Sequence, residues 1–320
     1  MGAESCRPRI ENAFFLVGSE RSGSTLLSIM LDHHPTIAWS RGFEYAVELL
    51  RETNRWPPLS DYYRFLETDR VFQTSGGRID RTLSYPELIH DFLRQERDDD
   101  GKRLVGATVH FHFDRLRRIF PACRFIHLLR DGREVSRSCV DQGWAGNAWS
   151  GARRWIDAER LWSRVKGGLQ SGEYYEVRYE SFIDAPEQTL RALCDFIGVP
   201  YSSQMLAYPR DTTYMPPSPD FIDQWKQRLS VRDIRLVESR IGDLLQERGY
   251  RLSGLPPLRV GWASRQWLRE DDRYRRMRFR IARNGWQLVA ADFVARRLRL
   301  HPWARRLRLR LNAISTKYLK

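Results

Sequence analysis

The segment that most constrains the fold of this chain is residues 14–25, with the sequence Phe-Phe-Leu-Val-Gly-Ser-Glu-Arg-Ser-Gly-Ser-Thr. An apolar run gives way to a loop of glycine and serine, and apolar residues then resume. This order predicts a strand over 13–18 and a helix over about 23–33. Backbone N–H groups in such a loop and at the helix N-terminus point toward an anion. The segment therefore predicts a phosphate-binding site.

The two loop glycines, Gly18 and Gly23, have the spacing of a nucleotide-triphosphate loop, but the next residue differs. The motif G-x-x-x-x-G-K-[ST] has a lysine where this chain has Ser24, followed by Thr25. Because that lysine reaches the β- and γ-phosphates, its absence argues against ordinary ATP chemistry. Arg21 retains a positive charge inside the loop. We therefore expect a phosphate ester without a γ-phosphate.

A second strand-to-helix junction lies at residues 123–141, with a strand predicted over 123–129 and a helix over 131–141. Arg130 stands at the end of the strand, and Ser138 follows eight residues later, about two helical turns away. Ligands of open α/β sheets bind beyond the carboxyl ends of the strands. The pair therefore predicts a second phosphate site, whereas Arg133 and Arg137 are expected on a solvated helix face.

These two segments resemble the 5′-phosphosulfate loop and the 3′-phosphate site of the sulfotransferases that use 3′-phosphoadenosine 5′-phosphosulfate (PAPS). Residues 177–182 (Val-Arg-Tyr-Glu-Ser-Phe) and 224–230 (Gln-Trp-Lys-Gln-Arg-Leu-Ser) are similar to two further segments of that family. The four segments occur in family order, and the resemblance covers roughly residues 12–252.

The resemblance implies a P-loop-like α/β fold, with a parallel sheet flanked by helices. It implies transfer of a sulfo group from PAPS to a hydroxyl or amine of a glycan, lipid or small molecule. Arg21 would stabilise the leaving phosphate, and no metal would be needed. The residues implied at the donor site are Arg21, Ser22, Gly23, Ser24, Thr25, Arg130, Ser138 and Tyr179.

Two residues compete as the base for the acceptor hydroxyl. Glu44 follows a His-Pro segment and resembles the base of the polysaccharide- and protein-type sulfotransferases. His110 follows the strand predicted over 103–109 and resembles the base of the cytosolic aryl and steroid type, although Thr108 replaces the lysine of that type. His112 is a third candidate. The structural alternatives are a helix N-terminal carboxylate for Glu44 and a core hydrogen bond for the histidines.

The rest of the chain alternates between strand and helix signals, which favours a parallel sheet covered on both faces. A strand is predicted over 173–178. Helices are predicted near 113–119, 149–167, 186–197 and 231–248, and a helical middle region over about 44–97. The aromatic residues of that region are candidates for stacking on an acceptor: Tyr45, Trp56, Tyr62, Tyr63 and Phe65.

The net charge of +14 is confined to the end of the chain. Residues 253–320 hold 18 lysines and arginines against 4 acidic residues, whereas residues 1–252 are balanced. We therefore expect a catalytic domain over 1–252 and an arginine-rich helical extension over 253–320. Apolar residues at helical spacing between Leu300 and Tyr318 predict an amphipathic helix that lies on an anionic membrane surface. Domain packing, a homodimer contact and polyanion binding are the alternatives, and no nucleic acid is expected because no nucleic-acid fold motif is present.

The cysteines lie at residues 6, 123, 139 and 194, without metal-ligand spacing, and are expected to be reduced. With no secretory signal pattern and no long apolar stretch, the sequence predicts a cytoplasmic protein, peripheral at the inner membrane face. Two other functions remain open at this point. One is a small-molecule kinase with an altered P-loop, and the other is a non-catalytic protein that binds membranes or polyanions.

Overall fold

The computed structural model describes residues 9–51 and 55–318. Its centre is a parallel sheet in the order β2-β3-β1-β4-β5. The α/β class predicted from the sequence is confirmed. The strands are β1 (Ala13–Val17), β2 (Ile37–Ser40), β3 (Leu104–Val109), β4 (Arg124–Leu129) and β5 (Tyr174–Arg178).

Helices cover both faces of the sheet, and β1 is buried along its whole length. Phe14 and Leu16 point into one apolar core, whereas Phe15 and Val17 point into the other. This alternation explains why the strand is apolar at every position. The helices of the first 252 residues are α1 (Ser24–Asp32), α2 (Leu59–Leu66), α3 (Arg70–Ser75), α4 (Tyr85–Asp99), α5 (Gly132–Asp141), α6 (Ala148–Lys166), α7 (Tyr179–Asp184), α8 (Pro186–Ile197), α9 (Trp225–Arg228) and α10 (Val231–Glu247).

Four of the predictions need correction. Strand β2 was not predicted, and residues 113–118 form a 3-10 helix rather than an α-helix. Tyr45 and Tyr62 are 3% and 0% exposed, so they pack in the core and cannot stack on an acceptor. Arg133 is also buried, because it pairs with Asp131 at 2.7 Å and with Glu238 at 2.6 Å.

The carboxyl-terminal region forms three helices, α11 (Trp262–Asn284), α12 (Trp286–Arg297) and α13 (His301–Lys317). All three lie in the region predicted to be a helical extension, and α13 confirms the helix predicted from the apolar spacing; the bounds of α11 and α12 were not predicted. Helix α11 packs against the α5–α6 connection, where Gly146 N donates to Asp272 Oδ1 at 2.7 Å. In α13, Asn312 Nδ2 donates to Thr68 O at 2.9 Å.

The sheet order brings the candidate residues to one edge. Glu44 follows β2, His110 follows β3, the loop 18–25 follows β1, Arg130 follows β4 and Tyr179 follows β5. Because all five strands are parallel, their carboxyl ends lie at the same edge of the sheet. Each strand therefore contributes a candidate residue to the crevice where open α/β sheets bind ligands.

Candidate active site

The loop between β1 and α1 turns tightly beneath the crevice. Its backbone has positive φ at Gly18 (136°), Arg21 (69°) and Gly23 (92°). A Cβ atom on Gly18 would lie 2.5 Å from Leu128 O, and one on Gly23 would overlap the Tyr179 ring. Both glycines are therefore required by close packing as well as by conformation.

Polar groups of this loop remain available for a ligand. Helix α1 has no side-chain cap at its N-terminus. The Ser22 hydroxyl is buried and has no hydrogen-bond partner within the described part of the chain. A buried polar atom without a partner is costly, and the free N–H groups of a helix N-terminus favour an anion. The loop can therefore accept a phosphate group.

The side chain of Arg21 reaches the junction between β4 and α5. Its Nε donates to Ser138 Oγ at 2.9 Å, and Arg130 Nη1 donates to the Arg21 carbonyl at 3.1 Å. The structure thus brings Arg21, Arg130 and Ser138 together. The side chain of Arg130 contacts the backbone of the phosphate loop, and the side chain of Arg21 contacts Ser138.

Arg130 is held in place from several sides. Its Nη2 donates to Phe221 O at 3.1 Å, and its guanidinium lies 4.0 Å from the ring centre of Tyr179. Glu134 Oε1 lies 3.9 Å from Arg130 Nη2. The Arg130 Nε is buried and finds no partner among the described residues. Tyr179 lies between Arg130 and the phosphate loop, since the same ring packs against Gly23.

The two competing base candidates form one hydrogen-bonded pair. His110 Nδ1 lies 2.8 Å from Glu44 Oε1, and His110 Nε2 lies 2.9 Å from Ser24 Oγ. The connection between β2 and β3 makes this possible, because Phe43 N donates to Thr108 O at 3.0 Å. Glu44, His110 and the first residue of α1 therefore form a chain of polar contacts that ends at the phosphate loop.

The pKa values of the pair move in opposite directions. Burial alone would raise the pKa of Glu44, but the hydrogen bond and positive charge of His110 hold it below its ordinary value. Burial alone would lower the pKa of His110, but the hydrogen bond and negative charge of Glu44 raise it above its ordinary value. Each partner thus stabilises the charged form of the other.

The remaining candidates lie at the margin of this cluster. Thr25 is exposed in the first turn of α1. His112 has a φ of 54° at the start of the 3-10 helix, and its side chain makes no hydrogen bond with any described residue. Trp225 is buried, and its backbone N–H donates to Glu134 Oε2 at 2.8 Å. Within the described ranges, no group of three or more His, Cys, Asp or Glu side chains has a metal-binding arrangement.

Sequence reasoning missed two residues beside the loop. Arg154, in α6, forms an ion pair with Glu20 and lies 4.9 Å from the ring centre of Trp144. Trp144 also lies 5.7 Å from the Arg21 guanidinium. No local motif marks either residue, because their contacts with Glu20 and Arg21 join segments that are more than 100 residues apart.

Comparison with known proteins agrees with this geometry. A sequence model of the sulfotransferase family matches residues 13–203, and the chain belongs to that family. Protein-tyrosine sulfotransferase A of Caenorhabditis elegans is 20% identical over 269 residues, which cover 76% of this chain and 68% of that protein. The omega-hydroxy-beta-dihydromenaquinone-9 sulfotransferase of Mycobacterium bovis is 26% identical over 160 residues, 46% of this chain and 40% of that protein.

The solved sulfotransferase domain from the curacin biosynthetic pathway has a similar fold. Its TM-score is 0.51 at 20% identity, and the match covers 77% of this chain and 100% of that domain. The predictions of the family and of its fold are therefore confirmed. In the part of the chain that the structure describes, no helix is long and apolar enough to cross a bilayer.

Proposed function

We propose that this protein transfers a sulfo group from PAPS to a hydroxyl group of an acceptor. The observation that carries the proposal is that the phosphate loop contacts two groups of residues. Arg21 in the loop contacts Ser138 and Arg130, and Ser24 in the loop contacts His110, which pairs with Glu44. The donor and the proton acceptor needed for the reaction would then meet at Ser24.

The phosphate loop would hold the 5′-phosphosulfate. The N–H groups at the start of α1 and the hydroxyls of Ser22, Ser24 and Thr25 supply donors there. The Ser22 hydroxyl fits this role because it lacks any partner of its own among the described residues. Arg21 adds positive charge beside the leaving phosphate, where negative charge develops during transfer.

The 3′-phosphate would bind at Arg130 and Ser138. The free Nε of Arg130 and its stacking on Tyr179 support this placement, because a fixed guanidinium binds phosphate with little loss of freedom. Tyr179 would then lie near the adenine. Arg21 would approach both phosphates, since it already contacts Ser138.

The Glu44–His110 pair would take the proton of the acceptor. In the reaction, the bond between sulfur and the phosphate oxygen breaks and a bond between sulfur and the acceptor oxygen forms. The acceptor proton passes to the pair, and its loss makes the oxygen a better nucleophile. His110 faces the loop and Glu44 lies behind it, so the two residues act as a unit.

Binding of the desulfo product, 3′-phosphoadenosine 5′-phosphate (PAP), tests the proposal. We expect Arg130→Ala to weaken PAP binding about 10- to 100-fold in calorimetry, because one charge-assisted contact to phosphate is lost. Arg153→Ala, an exposed arginine on α6, is the matched control and should leave PAP binding unchanged. Turnover of Mg-ATP without PAP binding would instead support the kinase alternative.

We also propose that the carboxyl-terminal helices contact an anionic membrane surface. Trp262, Trp286, Phe293 and Leu298 are between 62% and 82% exposed, and arginines surround them in the sequence. A lipid-linked acceptor at that surface would fit this arrangement. Sedimentation with phosphatidylglycerol vesicles should decrease in Trp286→Ser/Phe293→Ser but not in Trp56→Ser, an exposed tryptophan of the catalytic region. Equal sedimentation of all three proteins would contradict the contact.

A further inference from the structure

A cavity of about 660 Å³ separates the α5–α6 connection from the helices α11, α12 and α13. Its volume lies within the range of small-molecule sites. It is distinct from the phosphate loop, but Trp144 belongs to its wall and also contacts Arg21. The arginine-rich end of the chain and the catalytic region therefore enclose a second site.

The described lining of this cavity carries five arginines and one aspartate. The aspartate, Asp292, is held by Arg280 at 2.5 Å and by Arg296 at 2.6 Å. Two other lining arginines form ion pairs within helix α11: Arg273 pairs with Glu270, and Arg276 pairs with Asp272.

Arg283 and Arg308 differ from the other lining arginines, because neither pairs with a carboxylate among the described residues. Arg283 Nη2 donates to Ser315 O at 3.2 Å, while its Nε is buried without a described partner. The neighbouring Asn284 Oδ1 is also buried without a partner among the described residues; as an acceptor, it would pair with a donor group of a ligand and not with its anion. Arg283 is half-buried and lies 4.4 Å from the ring centre of Tyr318, whereas Arg308 is exposed to solvent. Neither charge is neutralised by a described carboxylate, and the buried Arg283 Nε is a donor that an anionic ligand could use.

Apolar side chains complete the wall. Phe279 packs directly on Gly143, where a Cβ atom would overlap the ring and where φ is 69°. Met277 and Leu311 line the same space. A ligand with an apolar or aromatic part beside its negative group would match both kinds of surface.

A continuous row of side chains connects the cavity with the proposed base. Trp144 lies under Arg154, and the Arg154 guanidinium lies 5.7 Å from the ring centre of Phe111. Phe111 is 37% exposed and directly follows His110. These contacts link the cavity wall at Trp144 to the residue that follows His110.

We propose that the cavity is an acceptor subsite for a phosphate- or sulfate-bearing group attached to an apolar or aromatic portion. This inference rests on the proposed sulfo transfer, because the bound molecule is an acceptor only if that reaction takes place. The binding of an anion to Arg283 and Arg308 does not depend on it. The anion can come from a soluble ester or from a lipid head group, which share the same phosphate chemistry.

The test uses the full-length protein saturated with PAP, so that the nucleotide pocket is filled. Phenyl phosphate is titrated by calorimetry, with benzyl alcohol as the neutral analogue. We expect Arg283→Gln/Arg308→Gln to weaken phenyl phosphate binding about tenfold or more, because charge-assisted contacts are removed. Arg297→Gln/Arg306→Gln removes the same charge from α12 and α13 outside the cavity and should have no effect.

Equal binding of phenyl phosphate to the cavity variant and the control variant would overturn the inference, as would benzyl alcohol binding as tightly as phenyl phosphate. Arg308→Gln alone, with its melting temperature checked, keeps the test valid if the double variant is poorly folded.

Sedimentation with phosphatidylglycerol vesicles identifies the source of the anion: a loss of sedimentation in the cavity variant alone assigns the anion to a lipid. Failure of the wild-type protein to bind PAP would overturn the proposed function, while phenyl phosphate binding would still report on the cavity.

Discussion

Two histidine–carboxylate pairs lie on neighbouring parts of the sheet, and they differ in what surrounds the second ring nitrogen. His110 contacts Glu44 through Nδ1 and Ser24 of the phosphate loop through Nε2. His127, on β4, contacts Glu159 through Nε2 at 3.1 Å and faces Glu176 through Nδ1 at 3.5 Å.

The registers of β1, β3 and β4 place these histidines one residue apart along the sheet. Val17 is opposite both Val109 and His127, so His110 lies one position further toward the carboxyl edge. That single step moves the side chain from the core to the crevice. His110 and Glu44 are 14% and 19% exposed, whereas His127 and Glu159 are each 1% exposed.

The buried pair is part of a closed network. Arg248 Nε donates to Glu159 Oε2 at 2.7 Å, and Trp162 stacks on His127 with ring centres 4.5 Å apart. Burial alone would lower the pKa of His127, but the charges of Glu159 and Glu176 raise it. A pairing of histidine with carboxylate therefore does not itself mark a catalytic site. A ring nitrogen directed at the ligand-binding loop distinguishes the two.

The largest effect is expected from exchanging the two histidines for asparagine. His110→Asn should lower the rate of sulfo transfer by about 10²- to 10⁴-fold, because the proposed proton acceptor is lost, while PAP affinity stays near that of the wild type and the melting temperature falls only by the few degrees expected for loss of the pair with Glu44. His127→Asn should do the reverse, lowering the melting temperature while retaining the rate at temperatures where it is folded. Steady-state kinetics and thermal unfolding measure both, and a near-normal rate in His110→Asn would remove that residue from the mechanism.

The next largest effect concerns the carboxylates. Glu159→Gln leaves Arg248 and His127 without their buried partner, so we expect unfolding free energy to fall by about 3–5 kcal/mol. Glu44→Gln breaks a more accessible pair and should cost only about 1–2 kcal/mol. Denaturant titration of the two variants compares them directly. Equal losses of unfolding free energy in the two variants would show that burial does not determine how much each pair contributes to stability.

A smaller effect is the pH dependence of the fall in unfolding free energy that Glu44→Gln causes. Because the folded pKa of His110 is raised, its stabilisation is complete below its ordinary pKa and disappears as the pH rises through the raised value. Because the folded pKa of Glu44 is lowered, its stabilisation is present above its ordinary pKa and is lost only as the pH falls through the lowered value. The loss in unfolding free energy should therefore be larger at about pH 6 than at about pH 9. A loss that is equal at both values would contradict the ion pair.

The smallest effect is expected at Ser24, which joins the accessible pair to the loop. Ser24→Ala removes a 2.9 Å contact to His110 and one donor to the phosphosulfate. The rate should fall about two- to tenfold, as for the loss of one neutral hydrogen bond. Ser24→Thr keeps a hydroxyl and should restore most of the rate. No recovery with threonine would indicate that the size of the residue, rather than its hydroxyl, matters.

Much of the sheet could be predicted from the sequence, because β1, β3 and β4 are apolar and each precedes a turn or helix signal. Strand β2 was not predicted, because it has only four residues, Ile37–Ser40, shortly after the His-Pro segment. Without β2 beside β3, Glu44 and His110 remained competing candidates, and their pairing was not foreseen.

Charge misled the prediction at Arg133, which was expected on a solvated helix face. Arg133 is buried because Glu238 lies opposite it, 105 residues later in the chain, and no local pattern reveals such a partner. Helix α11 approaches Gly143 and Gly146 closely, and no local pattern reveals those contacts, because they lie more than 100 residues away in the chain. The domain boundary near residue 253 and the roles of the site residues remain predictions for experiment.

The most direct test of the account is a crystal structure of the protein with PAP. We expect the 5′-phosphate at the N-terminus of α1, the 3′-phosphate between Arg130 and Ser138, and His110 Nε2 facing the open side of the 5′-phosphate. A nucleotide whose two phosphates do not span the phosphate loop and Arg130, or one that occupies a different crevice, would contradict it.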